Sequence, residues 1–125
     1  MNGLASRPQV TPESITELGP LEIFVFGSSL EGRHDGGAAK IAREKFGAIY
    51  GKGVGIQGRS YALPTMNGIG ELALYVSDFL IYAEEHYYLT FYLTRVGCGI
   101  AGLEENEVKR LFKSTPINVV KPEGW

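Results

Sequence analysis

The chain has 125 residues, of which 44% are apolar and 21% charged, and its formal net charge is −2. This length fits one domain with one hydrophobic core, and the absence of a basic patch argues against duplex nucleic acid as a partner. No apolar run reaches the length of a transmembrane helix, so no membrane association is expected. The single cysteine, Cys98, excludes an internal disulfide framework and fits a cytoplasmic location.

Residues 1–20 are polar and contain no apolar stretch typical of a signal peptide. We therefore expect a polar N-terminal segment over 1–20, followed by one domain over 21–125. A continuous apolar run over 21–26 predicts a buried strand. The spacing of apolar residues then predicts a helix over 38–46, and a glycine directly after it is typical of a helix end.

The remaining elements continue this alternation of strands and helices. A short strand is predicted over 60–63, an amphipathic helix over 71–86 and a strong strand over 89–96. A third helix over 104–113 and a short strand over 117–120 complete the series. Such alternation predicts an α/β fold, with a single, mostly parallel sheet and helices on both faces.

Glycine is unevenly distributed along the chain. Eleven of its 17 copies lie in clusters at 27–37, 51–58 and 97–102, and the first and last clusters follow the two strongest predicted strands. A strand, a glycine-rich loop and a helix N-terminus together form an anion site, which suits a phosphate or pyrophosphate. The first loop matches neither Walker A nor the dinucleotide fingerprint, and a glycine-rich surface turn is the alternative. In parallel sheets, ligands bind beyond the carboxyl ends of the strands, so we expect loops 27–37 and 97–102 to flank one crevice.

Two segments carry a family resemblance. HDGGAAKIAREKFG, residues 34–47, resembles the first ligand loop and helix of macro domains, the ADP-ribose-binding α/β modules. TRVGCGIAGL, residues 94–103, resembles their second, pyrophosphate-binding loop. The pattern is nearest to the branch that contains the terminal ADP-ribose protein glycohydrolase and ADP-ribose phosphate phosphatases. The run over 21–125 also resembles a small phage-associated family, while the fold of the lonely-guy and DNA-processing proteins is an alternative.

The resemblance implies a macro-like domain in which the strands over 21–27 and 89–96 are neighbours. It also implies a nucleotide of the ADP-ribose class as the ligand, with no cofactor and no metal. The implied ligand-binding residues come from the two loops and are Gly27, Ser28, Ser29, His34, Asp35, Gly36, Gly37, Ala38, Arg95, Gly97, Cys98, Gly99, Ile100, Ala101 and Gly102.

Several of these side chains have two interpretations. His34 is either a general acid or base near a phosphate or, as we favour, a loop residue that bonds backbone or contacts ligand. Arg95 either pairs with phosphate or forms an ion pair within the fold. Cys98 is a nucleophile or, as we favour, a small packing residue. Tyr50, beside the second glycine cluster, stacks on a base or simply packs.

Two positions depart from the hydrolase branch. That branch has a nucleophilic lysine just after the strand that matches SYALPT, and an aspartate in the second loop. The corresponding residues here are Met66 and Ala101, which can neither form an imine nor activate water. We therefore expect non-catalytic binding of ADP-ribose or a related cyclic or conjugated nucleotide, as in sequestration of a signal during phage–host conflict. The alternative is an ADP-ribosyl hydrolase or ADP-ribose phosphate phosphatase that uses His34 and Asp35 or a substrate-assisted water.

Overall fold

A computed structural model describes residues 7–125 and contains five strands and three helices in that range. The strands are β1 (Glu22–Ser28), β2 (Gly55–Gln57), β3 (Ser60–Pro64), β4 (Thr90–Leu93) and β5 (Val119–Val120). The helices are α1 (Gly37–Lys45), α2 (Ile69–Glu85) and α3 (Glu105–Leu111).

The strands form one sheet in the order β2-β3-β1-β4-β5. The central strand, β1, runs parallel to both β3 and β4, and β5 runs parallel to β4. Only β2, at the edge, is antiparallel to its neighbour. The predicted α/β fold with a mostly parallel sheet is therefore confirmed, and the two strong apolar strands are neighbours as expected.

Both faces of the sheet are covered by helices, because β1 alternates its apolar side chains between two cores. Ile23 and Val25 belong to the larger core, which is completed by α2 and α3. Phe24 and Phe26 point the other way and pack with Ala42 and other side chains of α1. The prediction of helices on both faces is confirmed by these two cores.

The N-terminal segment covers the part of the α1 face that α1 leaves open. Thr11 N donates to Lys121 O at 2.8 Å, and Arg7 Nε donates to the hydroxyl of Thr90 at 2.8 Å. Ile15 and Leu18 pack against the smaller core. Residues 7–20, predicted only as a polar segment, thus hold to the sheet by backbone and side-chain contacts, while 1–6 lie outside the described residues.

Three strands differ from the sequence prediction for local reasons. The strand predicted over 117–120 begins only at Val119, because Val119 N donates to Pro116 O at 3.1 Å in a turn. The strand predicted over 89–96 ends at Leu93, because Val96 N donates to Thr94 O in a tight turn that leaves the ladder. The short strand β2 was not predicted at all. It has three residues and begins at Gly55, whose φ of +86° breaks the extended pattern.

Two buried tyrosines predict how stability depends on alkaline pH. Burial raises the pKa of Tyr61 to about 12, and burial together with the hydrogen bond to Glu22 raises the pKa of Tyr92 to about 12. An unfolded tyrosine ionises near pH 10, so between pH 10 and about 12 the unfolded state loses protons that the folded state keeps. The free energy of unfolding should therefore be insensitive to these groups below pH 10 and fall above it.

Urea unfolding across this pH range checks the expectation. Tyr92→Phe removes one of the two groups, so its free energy of unfolding should fall less steeply above pH 10 than that of the native protein. Identical pH dependence in the two proteins would contradict the assignment to Tyr92.

Candidate functional site

Three loops meet at the carboxyl end of β1. A Cβ atom built on Gly27 would lie 3.2 Å from the side chain of Thr65 and 3.5 Å from Gly97 N. Thr65 follows β3, and Gly97 belongs to the loop that follows β4. The structure therefore brings the first loop, the turn over 65–68 and the last glycine loop to one edge of the sheet.

The sheet topology predicts a crevice at the carboxyl ends of β1 and β4. The chain leaves β1 through α1, on one face of the sheet, and reaches β3. It leaves the adjacent strand β4 through α3, on the opposite face, and reaches β5. Neighbouring parallel strands whose connections diverge leave a crevice between their carboxyl ends, which is where ligands bind in such sheets. We call this feature, flanked by loops 27–37 and 97–102, the β1–β4 crevice.

The backbone beside the crevice is bare at four glycines. Cβ atoms built on Gly36, Gly37, Gly99 and Gly102 would meet no other atom within 4 Å. Gly36 is the N-cap of α1 and provides no side-chain cap, and the first turn of the helix contains no acidic residue. The first amides of α1 therefore remain available, with the positive end of the helix dipole behind them. In the last loop, Cys98 N donates to Arg95 O and Gly102 N donates to Gly99 O, which leaves the amides of Gly99 to Ala101. Together with the first amides of α1, these would suit an anion such as a diphosphate.

Asp35 brings a negative charge to the same place. Its carboxylate lies 3.7 Å from the guanidinium of Arg43, with both side chains substantially exposed. This ion pair with Arg43 of α1 offsets part of the negative charge that Asp35 places beside the loop. Arg43 also lies over the ring of Tyr50, 5.6 Å from its centroid, so the half-exposed tyrosine packs against a cation.

His34 lies beneath the first loop, with no exposed surface. Its Nε2 lies 3.0 Å from Lys52 O and 3.3 Å from Gln57 Oε1. Because both partners are acceptors, Nε2 carries a proton, and the buried Nδ1 has no hydrogen-bond partner among the described residues. The ring edge also packs at 5.2 Å on Phe26. The side chain thus ties the loop to the segment over 51–57, the backbone-bonding role that we favour, and it presents no surface to a substrate.

The second glycine cluster supports the first loop. A Cβ on Gly53 would lie 2.5 Å from Leu30 O and closer still to Ser29 O, and one on Gly32 would overlap the backbone of Lys52. Gly51 N donates to Gly32 O at 2.9 Å. This close approach of two backbones is the reason for the glycines. The sequence signal was the alternation Gly51-x-Gly53-x-Gly55, which leaves one side of the segment bare.

The serines at the start of the loop serve its internal structure. Ser28 Oγ donates to Gly53 O at 2.6 Å and is buried. Ser29 Oγ accepts from Arg33 N at 3.2 Å, on the surface. Ala38 lies in the first turn of α1, beside the bare Gly37. Among the predicted residues of this loop, Gly36 and Gly37 are therefore the ones with bare backbone on their open side.

Arg95 and Cys98 are both occupied within the fold. Arg95 donates to Glu105 Oε2 at 2.6 Å and to Glu123 O at 2.8 Å, which is the ion-pair interpretation. Burial raises the pKa of the Cys98 thiol, Glu105 raises it further, and Arg95 acts in the opposite direction. The thiol therefore stays protonated at neutral pH and is a poor nucleophile, which agrees with a packing role.

The two positions that depart from the hydrolase branch lie on loops around the crevice. Met66 follows Thr65, whose N–H donates to Ser28 O at 2.9 Å. The side chain of Met66 is half-exposed. Ala101 lies in the last glycine loop, after Ile100, which is 97% exposed. These loops thus carry a thioether at Met66 and a methyl group at Ala101, the two positions that the predicted resemblance aligns with an amine and a carboxylate.

Comparison of the chain with protein-family models, with curated proteins and with solved structures finds no match in any of the three. The macro-domain resemblance therefore stays a prediction from two loop motifs, and the geometry of the crevice makes the case for a ligand site. Over residues 7–125, no helix is long and apolar enough to cross a membrane. The same range contains no group of three or more His, Cys, Asp or Glu side chains that could hold a metal ion.

Proposed function

We propose that the protein binds ADP-ribose or a related nucleotide in the β1–β4 crevice without turning it over. The observation that carries this proposal is the meeting of two glycine-rich loops where adjacent parallel strands diverge, with bare backbone on both sides. A diphosphate held there would accept hydrogen bonds from the first amides of α1 on one side and from the amides of Gly99 to Ala101 on the other, since Cys98 N and Gly102 N already donate to backbone carbonyls.

Apolar side chains around the crevice favour a nucleotide over free phosphate. Each of the three loops exposes one such side chain, and they are Leu30 at 38%, Met66 at 52% and Ile100 at 97%. Exposed apolar groups that surround a polar floor offer contacts to the ring faces of a base and a sugar. A free phosphate would leave these contacts unused.

Binding without turnover is supported by the chemistry of the neighbouring side chains. Met66 and Ala101 offer no amine or carboxylate, and the Cys98 thiol is held protonated. The alternative, a hydrolase or phosphatase that uses His34 and Asp35, requires His34 to leave its contacts with the 51–57 segment. A substrate-assisted water would need no such movement, so turnover has to be measured directly.

In this proposal the protein acts in the cytoplasm by holding a nucleotide. The phage-like resemblance of residues 21–125 favours sequestration of a signalling nucleotide during phage–host conflict. A second role, recognition of ADP-ribosylated macromolecules, uses the same crevice. In that role the bound ADP-ribose is attached to a macromolecule, whereas in sequestration it is free.

Thermal unfolding with ADP-ribose, cyclic ADP-ribose and inorganic phosphate tests the proposal, together with chromatography of each nucleotide after incubation. A cognate nucleotide at a hundred times its Kd should stabilise the protein by about 2.7 kcal/mol and be recovered intact. Phosphate alone should stabilise far less. Failure of every nucleotide to raise the unfolding temperature would refute binding, and loss of the nucleotide would refute the absence of turnover.

The chemistry of Met66 and Ala101 gives a second prediction. Borohydride added with ADP-ribose should trap no adduct on the native protein, because no lysine stands at the position of the family's nucleophile. Met66→Lys combined with Ala101→Asp should gain some hydrolysis of glutamyl-ADP-ribose, measured by release of ADP-ribose.

The matched control for this gain is Met66→Arg combined with Ala101→Asp. It supplies the same charge as lysine but no amine that can form an imine, so it should remain inactive. A native adduct on any lysine, or native hydrolysis at about one turnover per second, would overturn the assignment as a binder.

A further inference from the structure

A cavity of about 450 Å³ lies between the N-terminal segment and the carboxyl ends of β4 and β5. Residues 10–13 form one wall, and residues 93–95 and 122–123 form the other. The volume lies in the range of small-molecule sites in proteins. Neither glycine-rich loop contributes to this lining, so the cavity is separate from the crevice described above.

The cavity borders the crevice on its β4 side. Thr94, in the cavity wall, donates to Val25 O of β1 through its N–H at 3.2 Å and through its hydroxyl at 2.7 Å. Arg95 is also in the wall, and Gly97 is two positions further along the chain, so their Cα atoms are at most about 7 Å apart. Gly97 N in turn lies beside Gly27, 3.5 Å from a Cβ atom built there, at the carboxyl end of β1. A ligand with its diphosphate in the crevice can therefore extend one arm into the cavity.

The polar groups of the cavity are mainly acceptors. Thr11 Oγ1 lies 2.7 Å from Leu93 O and 2.9 Å from Val120 O, so its only proton is committed to a carbonyl oxygen. The hydroxyl proton of Thr94 is committed in the same way. These hydroxyls can offer only lone pairs to a ligand.

Charge in the cavity points in the same direction. Glu13 and Glu123 both line it, and the guanidinium of Arg95 is already neutralised by Glu105. A second phosphate would be repelled here, whereas hydroxyl groups would find acceptors. Val10, Pro12 and Pro122 supply apolar surface for the carbons of a ring.

We infer that this cavity binds a hydroxyl-bearing sugar arm of the nucleotide whose diphosphate occupies the β1–β4 crevice. This inference rests on the proposed function and extends it. The N-terminal segment then contributes to ligand specificity. It favours a nucleotide diphosphate that carries a second sugar over one that ends at the phosphate. ADP-ribose and ADP differ in this respect and serve as the probes.

Calorimetric titration of the native full-length protein with ADP-ribose and with ADP tests the inference. We expect ADP-ribose to bind at least about tenfold more tightly, the equivalent of one or two net hydrogen bonds. Glu13→Ala removes an exposed acceptor from the cavity, and Val10→Trp fills the space. Each variant should bind ADP-ribose more weakly than the native protein does, with an affinity close to that for ADP. The affinity for ADP itself should be unchanged.

Glu17→Ala is the matched control, because Glu17 is an exposed carboxylate of the same segment outside the cavity lining. It should bind both nucleotides like the native protein. Equal native affinities for the two nucleotides, or an equal loss of both in Glu13→Ala, would overturn the inference and leave the crevice site intact. If the native protein binds neither nucleotide, the proposed function itself fails and the inference fails with it.

Discussion

Gly53→Ala should destabilise the protein by about 3 kcal/mol, although it adds only one methyl group. A Cβ at this position would lie 2.5 Å from Leu30 O and closer still to Ser29 O. Both obstacles are backbone atoms, so no side-chain rotation can relieve the overlap. The first loop would have to move away, which would also break the hydrogen bond from Ser28 Oγ to Gly53 O. Urea unfolding monitored by fluorescence of Trp125 or by circular dichroism measures the change.

Gly70→Ala is the matched control for this effect. Gly70 lies in the first turn of α2, and a Cβ there would meet nothing within 4 Å. The same methyl group should therefore stabilise the protein by about 0.5–1 kcal/mol, because alanine loses less backbone entropy in a helix than glycine does. Equal unfolding midpoints for the two variants would show that the 51–58 segment does not support the first loop as described.

Gly36→Val and Gly99→Val should each weaken nucleotide binding at least about a hundredfold. Both positions face open space, and neither has a positive φ. Gly36 has φ −154° and ψ 164°, an extended conformation that valine adopts readily. The new side chains would occupy the space above the amides that are proposed to hold the diphosphate. Gly37 is unsuitable for this test, because its φ of +57° would strain any other residue.

Affinity measured by calorimetry, together with the unfolding midpoint of each variant, separates lost binding from lost folding. Valine at the N-cap of α1 should cost up to about 1 kcal/mol of stability, too little to unfold the domain. Arg95→Ala is the comparison, and it should reduce affinity less than either glycine change, because its guanidinium is committed to Glu105. Native affinity in both glycine variants would rule out the proposed diphosphate position.

The sheet was predictable because its main buried strands contain short runs of consecutive apolar residues, such as residues 23–26 of β1 and 91–93 of β4. The runs that became β1 and β4 are covered on both faces, so their side chains need no alternation between apolar and polar. The helices were found within one or two residues of their bounds, since each carries an apolar stripe and a glycine or an acidic residue near one end. The strand β2 escaped prediction because three residues that start with a glycine of positive φ carry no periodic signal.

The meeting of the two glycine-rich loops could also be predicted, because loops that follow two adjacent parallel strands lie at the same end of the sheet. The burial of His34 could not, since it depends on the close approach of the segment over 51–57, which only the folded chain brings near. The same holds for Arg95, whose partners are 10 and 28 residues away in sequence. The cavity beside β4 exists only because the N-terminal segment lies on the sheet. The polar sequence of that segment has no periodic pattern that predicts this position.

Titration of the ¹⁵N-labelled protein with ADP-ribose, followed through its amide resonances, shows whether a nucleotide diphosphate binds between the two glycine loops. We predict saturable shifts concentrated at Gly36, Gly37, Ala38 and residues 97–102. The resonance of Gly19, which precedes β1 at the amino end of that strand, should not shift. Shifts confined to other surfaces, or no saturable shift at any amide, would contradict binding between these loops.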